Sequence, residues 1–228
     1  MKLFPIGNVC SKCNTGSIDG ISYSVFEPNA GCKSSKIYTT LLTTFQDQTI
    51  LSRKKAEPYL NITYEYTYIF DREYKQIEHF VDTVDDALTS FYTIDWSRGR
   101  TPSAVASSAG IWTVSIDDTR DYSATANKKS NYAFVWNGAN WKMGNVTTVT
   151  KKTSIAVTMT PYNRGGLLYS SIVVNDTMVY PVYEVRLSQN ALSTFERTVY
   201  WHETTNRSQN GGFMRSGVVN FLSKYKVK

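Results

Sequence analysis

The sequence predicts a mainly β protein: an antiparallel β-sandwich or split barrel with one amphipathic helix, and a small β-barrel or sandwich inserted into it. Three observations predict it. Runs rich in β-branched and aromatic residues alternate with polar residues at the period of a strand. Turn signals such as Asn137-Gly138, Asn163-Arg-Gly-Gly166, Asn175-Asp176 and Asn210-Gly-Gly212 punctuate those runs. One stretch alone, Asp71 to Leu88, repeats its apolar residues at helical spacing. The 228 residues include 16 Tyr, 10 Phe and 5 Trp, and only 19% are charged, so the chain can bury a core and is not a disordered one.

Taken in order, Ile37 to Phe45 and Tyr59 to Phe70 read as long strands. In the second, Leu60, Ile62, Tyr64, Tyr66 and Tyr68 share one face, and Asn61, Thr63, Glu65 and Thr67 the other. The helix follows, with Tyr74, Ile77, Phe80, Val81, Val84 and Leu88 on its apolar side. Asp71 is placed to cap its first turn, and Glu73 lies near the positive end of its dipole. Phe91 to Ile94 is a short strand, and Asp95 to Pro102 a polar turn. Further strands are expected at Gly110 to Ile116, Ala133 to Trp136, Asn145 to Val149, Thr153 to Met159, Leu167 to Val174, Thr177 to Leu187, Phe195 to His202 and Gly217 to Tyr225. This pattern divides the chain into an N-terminal β domain (1–100, helix 71–88), an inserted small β domain (101–176) and closing strands (177–228) that return to the first domain.

No stretch reaches the ~18 consecutive apolar residues that span a bilayer, and Met1 to Cys13 lacks an apolar run bounded by a cleavage site. The expectation is a chain neither inserted in a membrane nor secreted. The formal charge of +6 comes from short clusters, Arg53-Lys54-Lys55, Lys128-Lys129, Lys151-Lys152 and the C-terminal Lys224 to Lys228, which read as solvated turn residues rather than a nucleic-acid stripe. Cys10, Cys13 and Cys32 resemble half of a zinc knuckle with no second pair, so free thiols are the expected state, with a metal or a disulfide as alternatives.

Chemistry is sparse. His79 sits in the helix between Glu78 and Phe80 and reads as part of an exposed face; His202 reads as a strand residue. Asp85-Asp86 and Asp117-Asp118 read as solvated pairs, and Asn61, Asn145, Asn175 and Asn206 match the glycosylation acceptor pattern by strand composition alone. No catalytic residue, cofactor or metal ligand is assigned, and the chain is expected not to be an enzyme.

The run Phe45-Gln-Asp-Gln-Thr-Ile-Leu-Ser-Arg53, the strand Tyr59 to Phe70, the helix start Asp71-Arg-Glu-Tyr-Lys-Gln-Ile-Glu-His-Phe80 and Ser90-Phe-Tyr-Thr-Ile-Asp-Trp96 together resemble the front half of distal tail and minor tail proteins of tailed bacteriophages. The resemblance covers roughly residues 38–102; the closing Tyr180-Pro-Val-Tyr183 and Gly212 to Phe221 are similar to the family's last strands. The chain departs from the pattern at Asp82 to Thr89, where family members carry a Gly-rich basic turn. The resemblance implies a tail-tube-like domain and a virion protein, assembled in the host cytoplasm. It also implies a hexameric ring that joins the tail tube to the tip or baseplate and leaves a channel for passing DNA. Its partners would be further copies of itself, the tail tube protein, and hub, baseplate or tail-fibre proteins.

Two residue groups are singled out. Trp96, Arg98 and Arg100 are expected at an interface, since Trp and Arg are favoured anchors. Trp136 and Trp141 flank a Gly-containing turn and suggest an alternative, a carbohydrate- or receptor-binding β module of a virion in which the two rings stack on a sugar.

Overall fold

The structure is a computed structural model that describes residues 2–9, 15–38, 40–44, 50–54, 58–84, 89–109, 111–125, 129–138, 140–158, 174–188, 195–200 and 212–226. Two short strands, β1 (Lys2–Leu3) and β2 (Gly7–Val9), precede the hairpin of β3 (Thr15–Ile18) and β4 (Ile21–Ser24), and then β5 (Gly31–Ile37). Next come β6 (Thr40–Thr44), β7 (Ile50–Lys54), the long β8 (Tyr59–Phe70), the helix α1 (Asp71–Val84) and β9 (Phe91–Ile94). A 3-10 turn at Trp96–Arg98 leads into β10 (Ala104–Ser108), β11 (Ile111–Ser115), β12 (Tyr132–Trp136), β13 (Trp141–Thr150) and β14 (Ser154–Thr158). The described chain closes with β15 (Met178–Leu187), β16 (Glu196–Tyr200) and β17 (Gly212–Lys226).

The protein is mainly β with a single α-helix among the described residues, as the sequence predicts. Fifteen strands form one sheet, and β6 with β7 a second. Every pairing between named strands is antiparallel except that of β1 with β9. No helix among the described residues is long and apolar enough to cross a membrane.

The spine of the large sheet is β15. Its first half pairs with β12, from Trp136↔Met178 to Tyr132↔Val182. Its second half pairs with β9 on the opposite edge and with β17 through Val185↔Ser223. The strands of the expected insertion therefore join the same sheet through β12. Both β12 and β15 are covered on both faces. Ala133, Val135 and Val179 pack into one buried cluster and Phe134, Trp136, Tyr180 and Val182 into another.

A third cluster carries the helix. Leu60, Ile62, Tyr64 and Tyr66 of β8 and Val219 and Phe221 of β17 face Tyr74, Ile77, Phe80 and Val84 of α1. Burying each such side chain stabilises by about 1.5–3 kcal/mol, which is what holds a 14-residue helix that water alone would leave marginal. Gln76 anchors it further: its amide, in a side chain 6% exposed, donates to the carbonyls of Pro5 and Ser24.

The helix start differs from the expectation. Asp71 is the first helical residue, and its carboxylate meets Lys75 at 3.0 Å and Arg215 at 3.5 Å. The capping acceptor is Glu73, whose carboxylate receives the Phe70 N–H at 2.9 Å.

β8 departs from its alternation as well. Ile69 pairs with Arg215 and Tyr66 with Gly217, so two residues of β8 oppose Ser216. Tyr68 adopts φ 55° in this bulge and turns outward to 59% exposure, while Ile69 takes the buried place. The predicted strand Ile37 to Phe45 is likewise divided: Ile37 ends β5, and Thr40–Thr44 belongs to the hairpin with β7. The predicted strand Leu167 to Val174 lies outside the described residues up to 173, as do helix positions 85–88.

Candidate functional site

The site grows from a buried carboxylate. Asp95 directly follows β9 and is 0% exposed. Its Oδ1 accepts the N–H and hydroxyl of Ser97, which closes the 3-10 turn, and the Cys32 thiol of β5 approaches the same oxygen at 3.9 Å. Arg98 answers the charge. Its Nε lies 3.2 Å from Asp95 Oδ2 and donates to Ser34 Oγ at 3.0 Å, while Nη1 bonds Asp121 in the loop after β11.

Gly99 permits the next step. A Cβ there would stand 2.5 Å from the Tyr180 ring, so only glycine lets the backbone lie flat on β15. Arg100 then exchanges both backbone hydrogen bonds with Val179, at 2.9 Å each. Its guanidinium reaches Asp118 at 3.3 Å and Asp117 at 3.7 Å. Arg120 clamps Asp118 from the other side, with Nε at 3.0 Å from both carboxylate oxygens and Nη2 at 2.7 Å from Oδ2.

These contacts set the charges. Burial pushes the Asp95 carboxyl above its ordinary range, against the pull of Ser97 and Arg98. Hydrogen bonds from Arg120, with Arg100 behind them, hold Asp118 well below that range. Burial works against the Arg98 cation, but Tyr183, Asp121 and Asp95 outweigh it and keep the guanidinium charged. Burial and the adjacent Asp95 push the Cys32 thiol up to about 12, so this sulfur is protonated and inert at neutral pH.

Arg98 and Arg100 open onto a cleft of about 390 Å3 that is also lined by Lys36, Asp118, Arg120, Asp121 and Lys129. Its chemistry is charge and hydrogen bonding: mutually paired Arg and Asp side chains with further cations at the rim, suited to holding an anion.

The structure brings together part of what the sequence singles out. Arg98 and Arg100 share the cleft. Trp96 turns away from it and packs edge-on against Tyr180, Phe134 and Trp136, half-buried between two core clusters. Trp136 and Trp141 pair across the β12–β13 hairpin but are only 8% and 2% exposed, and Phe134 stacks on both at 6.0 and 5.3 Å. Both rings, for which the sequence suggests sugar stacking, lie in a core cluster with Phe134.

His79 is tied down rather than free. Its Nδ1 bonds the Tyr23 hydroxyl at 2.9 Å and its Nε2 meets Asp19 at 3.0 Å, latching the β3–β4 hairpin to α1. Cys10, Cys13, His202 and Asp85-Asp86 lie outside the described residues. Cys32 is a free thiol, and no cluster of three metal-ligating side chains occurs among the described residues. Lys36, Asp95, Asp121 and Lys129 escape sequence reasoning because folding alone assembles them. The local signal is the charge-dense Asp117-Asp118-Thr119-Arg120-Asp121, whose first two residues read as a solvated pair. No protein-family model matches the chain, and no curated protein matches it.

Proposed function

We propose that this chain is a structural protein of a bacteriophage tail. It forms a ring that connects the tail tube to the tip or baseplate and keeps a channel open for DNA. The observation that carries this reading is the state of two of the sheet's terminal strands, β4 and β10. Among the described residues, β4 pairs only with β3 and β10 only with β11. Neither terminal strand, Ile21-Ser-Tyr-Ser24 or Ala104-Val-Ala-Ser-Ser108, contains a charge or a proline, the usual devices that keep an exposed edge from pairing. Ile21 at one end and Ile111 beside the other are 53% and 41% exposed.

Pairing β4 of one copy with β10 of the next is a head-to-tail contact, and such contacts close into a ring when the rotation per subunit permits. The β8–α1–β9 unit adds support, because it is the part of the chain that resembles tail proteins. The role is mechanical: subunits hold neighbours above and below, and a change in their packing transmits a signal along the tail.

The test is location. Antibody against the chain, applied to tailed particles of the virus that encodes it and viewed by negative stain, should label the distal end of the tail. Label on the head, or none on any particle, overturns the reading.

A further inference from the structure

We propose that the cleft between β5, the Arg98–Arg100 strap and the loop after β11 binds phosphate oxyanions, with the phosphodiester backbone of a nucleic acid as its ligand class. Among the described residues, five cationic side chains line it, from Lys36, Arg98, Arg100, Arg120 and Lys129, against two carboxylates. Both carboxylates are already engaged, Asp118 by Arg100 and Arg120 and Asp121 by Arg98. They serve as braces that fix the guanidinium planes, and a fixed fork loses little freedom when it grips an oxyanion.

Lys36 and Lys129 have no carboxylate partner among the described residues, so their charge faces the cleft uncompensated. Among the described residues the lining consists of Lys, Arg and Asp. Without an aromatic platform the cleft reads charge and not bases, so binding is independent of sequence. With no apolar residue in that lining, the cleft suits a phosphate backbone better than an acidic peptide, whose affinity draws on buried apolar contacts. The site does not rest on the ring reading: ring formation is read as mass and shape, the cleft as salt-dependent binding, and each fails separately.

The experiment is fluorescence anisotropy of a labelled DNA duplex titrated with the full chain across a salt series. The double variant Lys36→Ala/Lys129→Ala and the single Arg120→Ala serve as controls, each checked for fold by circular dichroism. The wild type should bind with a linear log–log salt dependence. The double variant should lose about tenfold in affinity and about 2 in slope, since each lost phosphate contact removes ~0.9. Displacement of the duplex by inorganic triphosphate supports a shared oxyanion site. Equal affinity and slope in the folded variants overturn the proposal, as does tight triphosphate binding with no duplex binding, or tighter binding of a polyglutamate peptide.

Discussion

Arg98 Nε stands 3.2 Å from the carboxylate of Asp95, a side chain with 0% exposure, and the same guanidinium reaches Asp121 in the loop after β11. One cation thus compensates a buried charge and ties two distant segments together. Arg98→Met should destabilise the protein by about 3–5 kcal/mol in urea denaturation, because Asp95 is left buried and unpaired. Adding Asp95→Asn should recover a large part of that loss. A single-variant loss under about 1 kcal/mol, the range of an exposed pair, contradicts the assignment.

Asp118 and Asp95 have opposite pH signatures. The depressed Asp118 contributes stability above its unfolded value of about 3.9, and loses it as pH falls through the lower folded value. Asp118→Asn should therefore be less stable than wild type at neutral pH, with the two melting temperatures converging below about pH 4. The raised Asp95 works the other way, opposing folding once pH rises above about 3.9, so Asp95→Asn should not narrow on acidification in that manner. Parallel melting curves for wild type and Asp118→Asn at all pH values contradict the pairing.

The bulge at Tyr68 separates two neighbours that look equivalent in sequence. Tyr68 carries a left-handed backbone that costs a residue with a Cβ about 1–2 kcal/mol, and glycine relieves it at an entropic cost of about 0.5–1 kcal/mol. Tyr68→Gly should lie within about 1 kcal/mol of wild type. Tyr66→Gly removes a ring 2% exposed and should cost about 3–5 kcal/mol. Equal losses at the two positions would argue against the bulge.

Phe195 lies across Gly217, where a Cβ would stand 2.6 Å from the ring and 2.8 Å from the Phe195 Cα. Since backbone as well as side chain must move, Gly217→Ala should destabilise by about 1–3 kcal/mol, measured by thermal or urea unfolding. A neutral Gly217→Ala shows that Phe195 does not pack there.

The short β9 is read from the sequence at its observed bounds because the helix and a polar turn enclose it, and β8 is read at its bounds because it is long enough in apolar alternation to declare its period. The helix is legible for the same reason over the described part. The inversion at Tyr68 is not, since a bulge is set by the partner strand and leaves Tyr66 and Tyr68 alike in the sequence. Strands β1 to β5 carry little apolar pattern; they are ordered by what they pair with, β5 along β8 and β1 beside β9. At the site, Arg98 and Arg100 are visible as neighbours of an aromatic turn, whereas Lys36 and Asp121 come from elements far along the chain. The Trp136–Trp141 hairpin is legible, but its depth depends on Phe134 and the sheet beneath.

The proposed ring stands on the uncharged edges β4 and β10 pairing between copies of this chain. Light scattering of the purified protein at two salt concentrations, joined to negative-stain imaging, tests it most directly. Rings of about six copies are expected, dispersed to folded monomers by Ala106→Lys on the β10 edge with the circular dichroism unchanged. A folded wild-type monomer at both salt concentrations, with no ring in any image, contradicts it.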